Sequence, residues 1–283
     1  MNQIPSFTLT LTLFSLLSLL FLPRTALAVD ENFTICSVPR YCGKLNIKFP
    51  FFIEEQTEPR CGYPGFKIHC RNKTIPILSL PDGNYTINDI FYQTQSLHVS
   101  KAERDAVCSH SIRNISLPED RYYLDARTSR EMVLLFSCNL TSQWSWELSK
   151  YKIDCAGESE SNSTLALFKD DPELNFASGF CGERVGAAVG FDHRGGGGVE
   201  GLLNRGFVLN WTASNCSVCE GSGGWCGFDY KSYHFKCFCP DRPHAARCSP
   251  AAISFVSKRT TEITRSSLTV KRHRLNPEGD SYV

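Results

Sequence analysis

The sequence predicts a mainly β protein made of two small disulfide-rich domains of short antiparallel strands. Three observations carry that expectation. All 14 cysteines follow an apolar leader. Runs of β-branched and aromatic residues recur about every eight to twelve positions, separated by turn residues. Eight Asn-x-Ser/Thr triplets are spread along the same length. An even cysteine count in an exported chain implies a disulfide framework formed in an oxidising compartment.

Residues 1–28 read as a secretory signal, with an apolar run from Phe7 to Leu22, a Pro23-Arg24 break and a small-x-small cleavage site at Ala26-Leu27-Ala28. The apolar run falls short of the roughly 18 to 20 residues that a spanning helix needs, so the mature chain is expected to begin at Val29 and to be secreted. The triplets at Asn32, Asn72, Asn84, Asn114, Asn139, Asn162, Asn210 and Asn215 are expected glycosylation sites. Each should therefore be exposed.

The first domain is expected over 29–137. Its cysteines are Cys36, Cys42, Cys61, Cys70 and Cys108, and the stretch from Cys36 to Cys70 is the most informative part of the chain. Between Cys36 and Ile75, Arg40, Lys44, Lys48, Arg60, Lys67, Arg71 and Lys73 stand against Glu54, Glu55 and Glu58, an excess of four positive charges. The whole chain has a formal charge of only +1, so this patch, not the overall charge, would favour a polyanion. Phe49, Phe51, Phe52 and Phe66 lie in the same stretch and are expected in the core.

A strand and then a turn are expected over Asn46 to Ile53, and strands from Gly65 to Cys70, where apolar and polar residues alternate, and from Ser96 to Val99. Pro81-Asp82-Gly83-Asn84 predicts a turn between strands at Ile75–Leu80 and Tyr85–Phe91. Arg127 to Cys138 contains the apolar run Met132-Val133-Leu134-Leu135-Phe136, which reads as buried. Trp144 and Trp146 would share a face if extended. Cys155 to Thr164 reads as a polar loop, Val185 to Phe191 as a strand, Gly195 to Gly198 as a hairpin tip, and Leu202 to Trp211 as another strand.

The second domain is expected over 138–248, with Cys138, Cys155 and Cys181 followed by the densest cluster. There Cys216, Cys219, Cys226, Cys237, Cys239 and Cys248 follow C-x2-C-x6-C-x10-C-x-C-x8-C, which is similar to an epidermal-growth-factor-like module. A zinc site would need free thiolates, which the secretory route oxidises. Residues 249–283 form a basic tail without cysteine, expected to be disordered.

Two groups of motifs bring the chain close to a known family. The first is C-x5-CG, I-x-F-P-F at Ile47 to Phe51, CG-x-P-x-F at Cys61 to Phe66, and Y-x-I-x-x-I at Tyr85 to Ile90. The second is LNRGFVLNW, C-x2-C-x-GSGG-x-CG at Cys216 to Gly227, and F-x-C-x-C-x-DR-x-HA-x2-C at Phe235 to Cys248. Together they resemble the extracellular region of plant wall-associated receptor kinases, in particular the leaf-rust-resistance-like subfamily, with a galacturonan-binding domain and its associated C-terminal domain. Family members continue into a transmembrane helix and a cytoplasmic serine/threonine kinase. This chain has no Gly-rich nucleotide loop, VAIK-type lysine, HRD or DFG, so either a secreted form or a truncated version of a longer product is implied.

The resemblance implies a module that binds acidic cell-wall polysaccharide, pectin or oligogalacturonide, in the cell wall, or at the plasma membrane if a longer receptor form exists. Such a ligand carries one carboxylate per unesterified sugar. Arg offers a planar fork to a carboxylate, Lys a point charge, and aromatic faces can stack on the sugar's C–H side. The candidate contacts are Arg40, Lys44, Lys48, Arg60, Lys67, Arg71 and Lys73, with Tyr41 and Tyr63 as platforms. The alternative is a peptide- or protein-binding ectodomain that uses the cysteine frame as scaffold. An enzyme is not expected: G-x-S-x-G and H-E-x-x-H are absent, and Glu54-Glu55 and Asp170-Asp171 would point to opposite faces of an extended chain. No metal spacing is found among the seven histidines, of which His69 and His234 read as structural and His244 as part of a turn. No cofactor or nucleic-acid partner is expected.

Overall fold

A computed structural model describes residues 29–102, 108, 112–118, 120–142, 146–155, 157–190 and 198–249. The leader, Trp144, the first three glycines of the 195–198 run and the tail from 250 onward lie outside the described residues.

The chain opens with helix α1 (Glu31–Cys36) and a tight hairpin of strands β1 (Arg40–Cys42) and β2 (Leu45–Ile47). Strands β3 (Phe52–Ile53), β4 (Lys67–Arg71), β5 (Ile75–Leu80), β6 (Gly83–Phe91), β7 (Ser96–Lys101) and β8 (Tyr122–Leu124) follow. Next come β9 (Ser129–Cys138), β10 (Lys152–Ile153), β11 (Ser163–Phe168), helix α2 (Leu174–Ser178) and β12 (Glu183–Gly190). The C-terminal part has helix α3 (Gly198–Arg205), β13 (Phe207–Trp211), helix α4 (Ser217–Gly221), β14 (Trp225–Asp229), β15 (His234–Phe238) and β16 (Pro243–His244). The described chain is thus mainly β, in short, mostly antiparallel strands.

The larger sheet runs β3-β4-β5-β6-β7-β13-β8, and all its pairings are antiparallel except β3 with β4. The expected hairpin turn is present, with Leu80 paired to Gly83. The second sheet runs β10-β11-β9-β12 and the third β14-β15-β16. The expected division at 137/138 falls inside β9, and β13 crosses back from the expected second domain to sit between β7 and β8. The reason is visible in β13 itself: alternate residues Phe207, Leu209 and Trp211 are buried in the core of the larger sheet with Phe51, Tyr85, Leu97 and Tyr122.

Strand β9 shows why its apolar run is continuous. Met132, Leu134 and Phe136 pack with Val185 and Val189 in one cluster, while Val133 and Leu135 pack with Leu148, Leu165 and Leu174 in another. A strand covered on both faces needs apolar residues at every position.

Two expectations are corrected here. Leu202 to Arg205 is not strand but the end of α3, because Val199, Leu202 and Leu203, at helical spacing, cover the Met132–Leu134 cluster. Gly206 then turns the chain with φ +79°, where a Cβ would lie 1.9 Å from the Val99 carbonyl oxygen. Trp146 starts a 3-10 turn (Trp146–Tyr151) and is not part of an extended segment.

Seven disulfides staple the fold: 36–61, 42–70, 108–155, 138–181, 216–226, 219–237 and 239–248. The last three pair the six clustered cysteines first with third, second with fourth and fifth with sixth. Phe49 plugs into that cluster, with its ring 5.6 Å from Phe235 and 6.0 Å from Tyr63. An early aromatic therefore fixes the C-terminal module against the first sheet. Burial of such a ring stabilises by about 1.5–3 kcal/mol.

Candidate functional site

The β1–β2 hairpin is the scaffold of the candidate site. Gly43 at its turn has φ +59°, and a Cβ there would lie 2.3 Å from the Thr74 carbonyl oxygen. That close approach lets the Gly43 N–H donate to the Lys73 carbonyl at 3.1 Å. The Cys42–Cys70 disulfide ties the same hairpin to β4. Consequently Lys44, at the turn, comes up against the Arg71–Lys73 segment, and Arg40 at the start of β1 lies across from Ile47, next to Lys48.

Five of the seven candidate cations are collected in this way: Arg40, Lys44, Lys48, Arg71 and Lys73. Among the described residues none of the five has an acidic partner, whereas other cations of the chain do. Tyr41, 54% exposed on β1, stands beside them. Cations without an acidic partner among the described residues, held on a stapled backbone, make this the candidate surface for carboxylates.

The remaining candidates are placed differently. Lys67 Nζ donates to Glu54 Oε1 at 2.8 Å, so its charge is already matched. Arg60 reaches Glu58 at 3.6 Å and donates to Asn32 Oδ1 at 2.9 Å, lining a separate groove with Tyr230 and Lys236. Tyr63 is half-buried, packed edge-on to Phe49, Phe66 and Phe228, and is chiefly a linker between the first sheet and the C-terminal module. Phe49, Phe51, Phe52 and Phe66 are buried. His69 is exposed, 3.9 Å from Glu55, contrary to its structural reading, and its position on the open face of β4 explains why. His244 Nε2 lies 3.0 Å from both carboxylate oxygens of Asp241, closing a turn.

Lys48 belongs to two adjoining clefts. The smaller, about 200 Å³, includes Arg40, Asn46 and Trp225; the other, about 360 Å³, includes Tyr92, Gln93, Gln95 and Trp211; both are bounded by Glu220 of α4. Tyr92 sets the position of Lys48: its hydroxyl accepts from the Lys48 N–H at 2.8 Å and donates to the Asn46 carbonyl at 3.0 Å. Burial pushes the Tyr92 phenol above its ordinary range, which keeps the donating proton in place. Two buried polar atoms along the clefts, Asn46 Oδ1 and Trp211 Nε1, have no hydrogen-bond partner among the described residues. Leaving such a group unsatisfied costs about 1–3 kcal/mol.

Sequence reasoning missed Tyr92, Gln93, Gln95, Trp211 and Glu220, because they come together only through β13 and α4. It also missed Tyr230 and Tyr233, 47% and 69% exposed, which pack on Phe228 at 5.3 and 5.1 Å. The signal for those two was present: Asp229 accepts from Lys231 N and Ser232 Oγ, an Asp-led turn that throws both tyrosines outward.

Of the sequons, Asn72, Asn84, Asn114, Asn139, Asn162 and Asn215 are exposed, and Asn32 is partly so. Asn210 differs. It sits inside β13 between β7 and β8, and its Nδ2 donates to the buried carboxylate of Asp125 at 3.2 Å.

Two groups of side chains could suggest a metal, Cys237 with Cys239 and Cys248, and Cys239 with Asp241 and His244. Every sulfur in them is in a disulfide and offers no thiolate. No helix among the described residues is long and apolar enough to cross a membrane.

Comparison with known proteins adds the family context. Residues 36–101 match the family described as wall-associated receptor kinase galacturonan-binding, and residues 153–242 match wall-associated receptor kinase C-terminal. From Arabidopsis thaliana, the leaf rust 10 disease-resistance locus receptor-like protein kinase-like 1.2 is 33% identical over 228 residues, covering 77% of this chain and 34% of the relative. The similarly named kinase-like 2.1 is 25% identical over 251 residues, covering 83% of this chain and 38% of the relative. The chain thus spans somewhat over a third of the length of these curated relatives. No solved structure matches.

Proposed function

The chain belongs to the wall-associated receptor kinase family, carrying its galacturonan-binding and C-terminal domains, and from that premise we propose that it binds acidic cell-wall polysaccharide of the pectin class. The described domains belong to the receptor part of that family and include no kinase domain, so the action proposed here is binding and not catalysis. The supporting observation is the set of five cations without an acidic partner among the described residues, Arg40, Lys44, Lys48, Arg71 and Lys73, gathered by the stapled hairpin next to exposed Tyr41. Arg60, Lys67 and Tyr63 have other partners and act at most at the margin of this surface.

Exposed ion pairs contribute only about 0–1 kcal/mol each, so affinity arises from several carboxylates engaging along one polymer. The binding is weak per sugar, multivalent and salt-sensitive. Secretion to the cell wall, where this polymer lies, completes the reading.

The test is retention of the glycosylated mature chain on de-esterified polygalacturonate at low and at moderate salt. Retention that declines as salt rises supports the proposal. Absence of retention at low salt, from protein shown to be folded and oxidised, overturns it in favour of a peptide or protein ligand.

A further inference from the structure

We propose that the groove between helix α1 and the β14–β15 hairpin seats the first sugars of the chain's own N-linked glycan, attached at Asn32. The inference rests on export through the secretory route and is independent of what the β1–β2 hairpin binds.

The geometry starts from a disulfide. Cys36–Cys61 ties α1 to the 3-10 turn Pro59–Cys61, and Asn32, four residues before Cys36, lies on the same face of the helix. Arg60, next to Cys61, therefore meets it, and its Nη1 donates to Asn32 Oδ1 at 2.9 Å. A guanidinium only donates, so this contact fixes which way the amide is turned. Asn32 Nδ2 has no partner among the described residues. It is also the atom that Asn32-Phe33-Thr34, an acceptor triplet, marks for modification. Glycosylation joins this nitrogen to the anomeric carbon of an oligosaccharide carried on a lipid diphosphate; the lipid diphosphate leaves and Nδ2 gives up one proton. The Oδ1 contact to Arg60 survives that reaction.

The groove beside Asn32 has a volume of about 650 Å³, within the roughly 300–1,000 Å³ of small-ligand sites. Its aromatic wall is Tyr230, whose ring packs on Phe228 at 5.3 Å yet stays 47% exposed. Such a face takes the C–H side of a sugar, while Lys231, Lys236 and Asp229 along the same groove offer donors and an acceptor to its hydroxyls. The attachment itself selects the occupant. A tethered ring meets the groove at an effective concentration in about the millimolar range, so contacts too weak to capture a free sugar suffice. Arg60 then orients the glycan and does not read the wall polymer.

Glycopeptide mass spectrometry of the secreted mature chain should find Asn32 occupied. On the folded protein, an endoglycosidase should release its glycan about tenfold more slowly than those of the exposed sequons, Asn72 and Asn84 among them, and the rates should converge after reduction and denaturation. Tyr230→Ala, an exposed change, should bring release at Asn32 to within about twofold of the others. Thr34→Ala removes the acceptor triplet but keeps Asn32 and its Arg60 contact. Hydroxyl-radical labelling of Tyr230 should then rise about twofold, as one face of the ring is uncovered, while Tyr233, on a different groove, stays unchanged. An unmodified Asn32, fast release from it in the folded wild type, slow release that persists in Tyr230→Ala, or unchanged Tyr230 labelling in Thr34→Ala each overturns the proposal. Polygalacturonate retention is read separately, so either reading can fail without the other.

Discussion

Replacing Arg40, Lys44 and Lys48 together by Glu separates a charged reading surface from a merely solvated one. None of the three has an ion-pair partner among the described residues, so their loss breaks no bridge of the fold. Stability should stay within about 0.5 kcal/mol per site, as for other surface substitutions. Each exposed contact to a carboxylate is worth about 0.2–1 kcal/mol, so removing three costs about 0.6–3 kcal/mol, roughly three- to a hundredfold in Kd. Reversal adds repulsion of similar size. Retention on polygalacturonate near 10 mM salt, where the screening length is about 30 Å, should therefore be abolished. At 1 M salt, where that length is about 3 Å, wild type and variant should converge. Unchanged retention, or a loss that persists undiminished at high salt, would refute the reasoning and move the site away from the hairpin.

The other predictions concern the frame that holds this surface. Gly206→Ala forces a Cβ to within 1.9 Å of the Val99 carbonyl at a positive φ and should cost more than about 2 kcal/mol, read as a lowered urea midpoint. Asp125 is buried, which opposes its ionisation, but hydrogen bonds from Arg127 and Asn210 outweigh that and hold its carboxyl below the ordinary range. A lowered native pKa gives stability that is present above the unfolded value of about 3.9 and lost as pH falls through the native value. The stability gap between wild type and Asp125→Asn should therefore shrink as pH falls below about 4, in thermal unfolding. Glycopeptide mass spectrometry should find Asn210 unmodified, since its amide nitrogen is bonded to Asp125 within a strand; full occupancy there would contradict the register of β13.

Local features of the fold were legible in the sequence. Pro81-Asp82-Gly83-Asn84 announced the β5–β6 hairpin, and the continuous apolar run announced the burial of β9 though not its strand conformation, since turn chemistry and burial act over a few residues. The segment from 198 to 211 was half legible. Strand residues Phe207 to Trp211 alternate as expected, but the helix before them was obscured by reading LLNRGFVLNW as one unit, although Gly206 marks the break. The position of β13 in the first sheet was not legible, because strand order is decided by long-range packing of Leu209 and Trp211. The candidate site followed the same rule. Charge composition singles out Arg40, Lys44, Lys48, Arg71 and Lys73 as candidates, and the hairpin and the Cys42–Cys70 disulfide bring their segments together. It could not tell that Lys67 and Arg60 were engaged by Glu54 and Glu58, or that Glu220 would line the same two clefts as Lys48.

The insertion of β13 between β7 and β8 also sets an order of assembly. The disulfides 36–61 and 42–70 join residues 25 and 28 positions apart and can form as soon as that short stretch of chain has been made. The sheet they support waits far longer, because β7 at Ser96–Lys101 has no neighbour on one side until Phe207–Trp211 has been synthesised. More than a hundred residues are made in that interval, about 5–20 s at ordinary elongation rates, during which β7 presents an open edge. The candidate hairpin thus closes over a short stretch of chain, whereas the sheet that supports it closes only with β13. Sequons at Asn114, Asn139 and Asn162 fall within that interval, where sugar added to the nascent chain would keep the unfinished edge soluble.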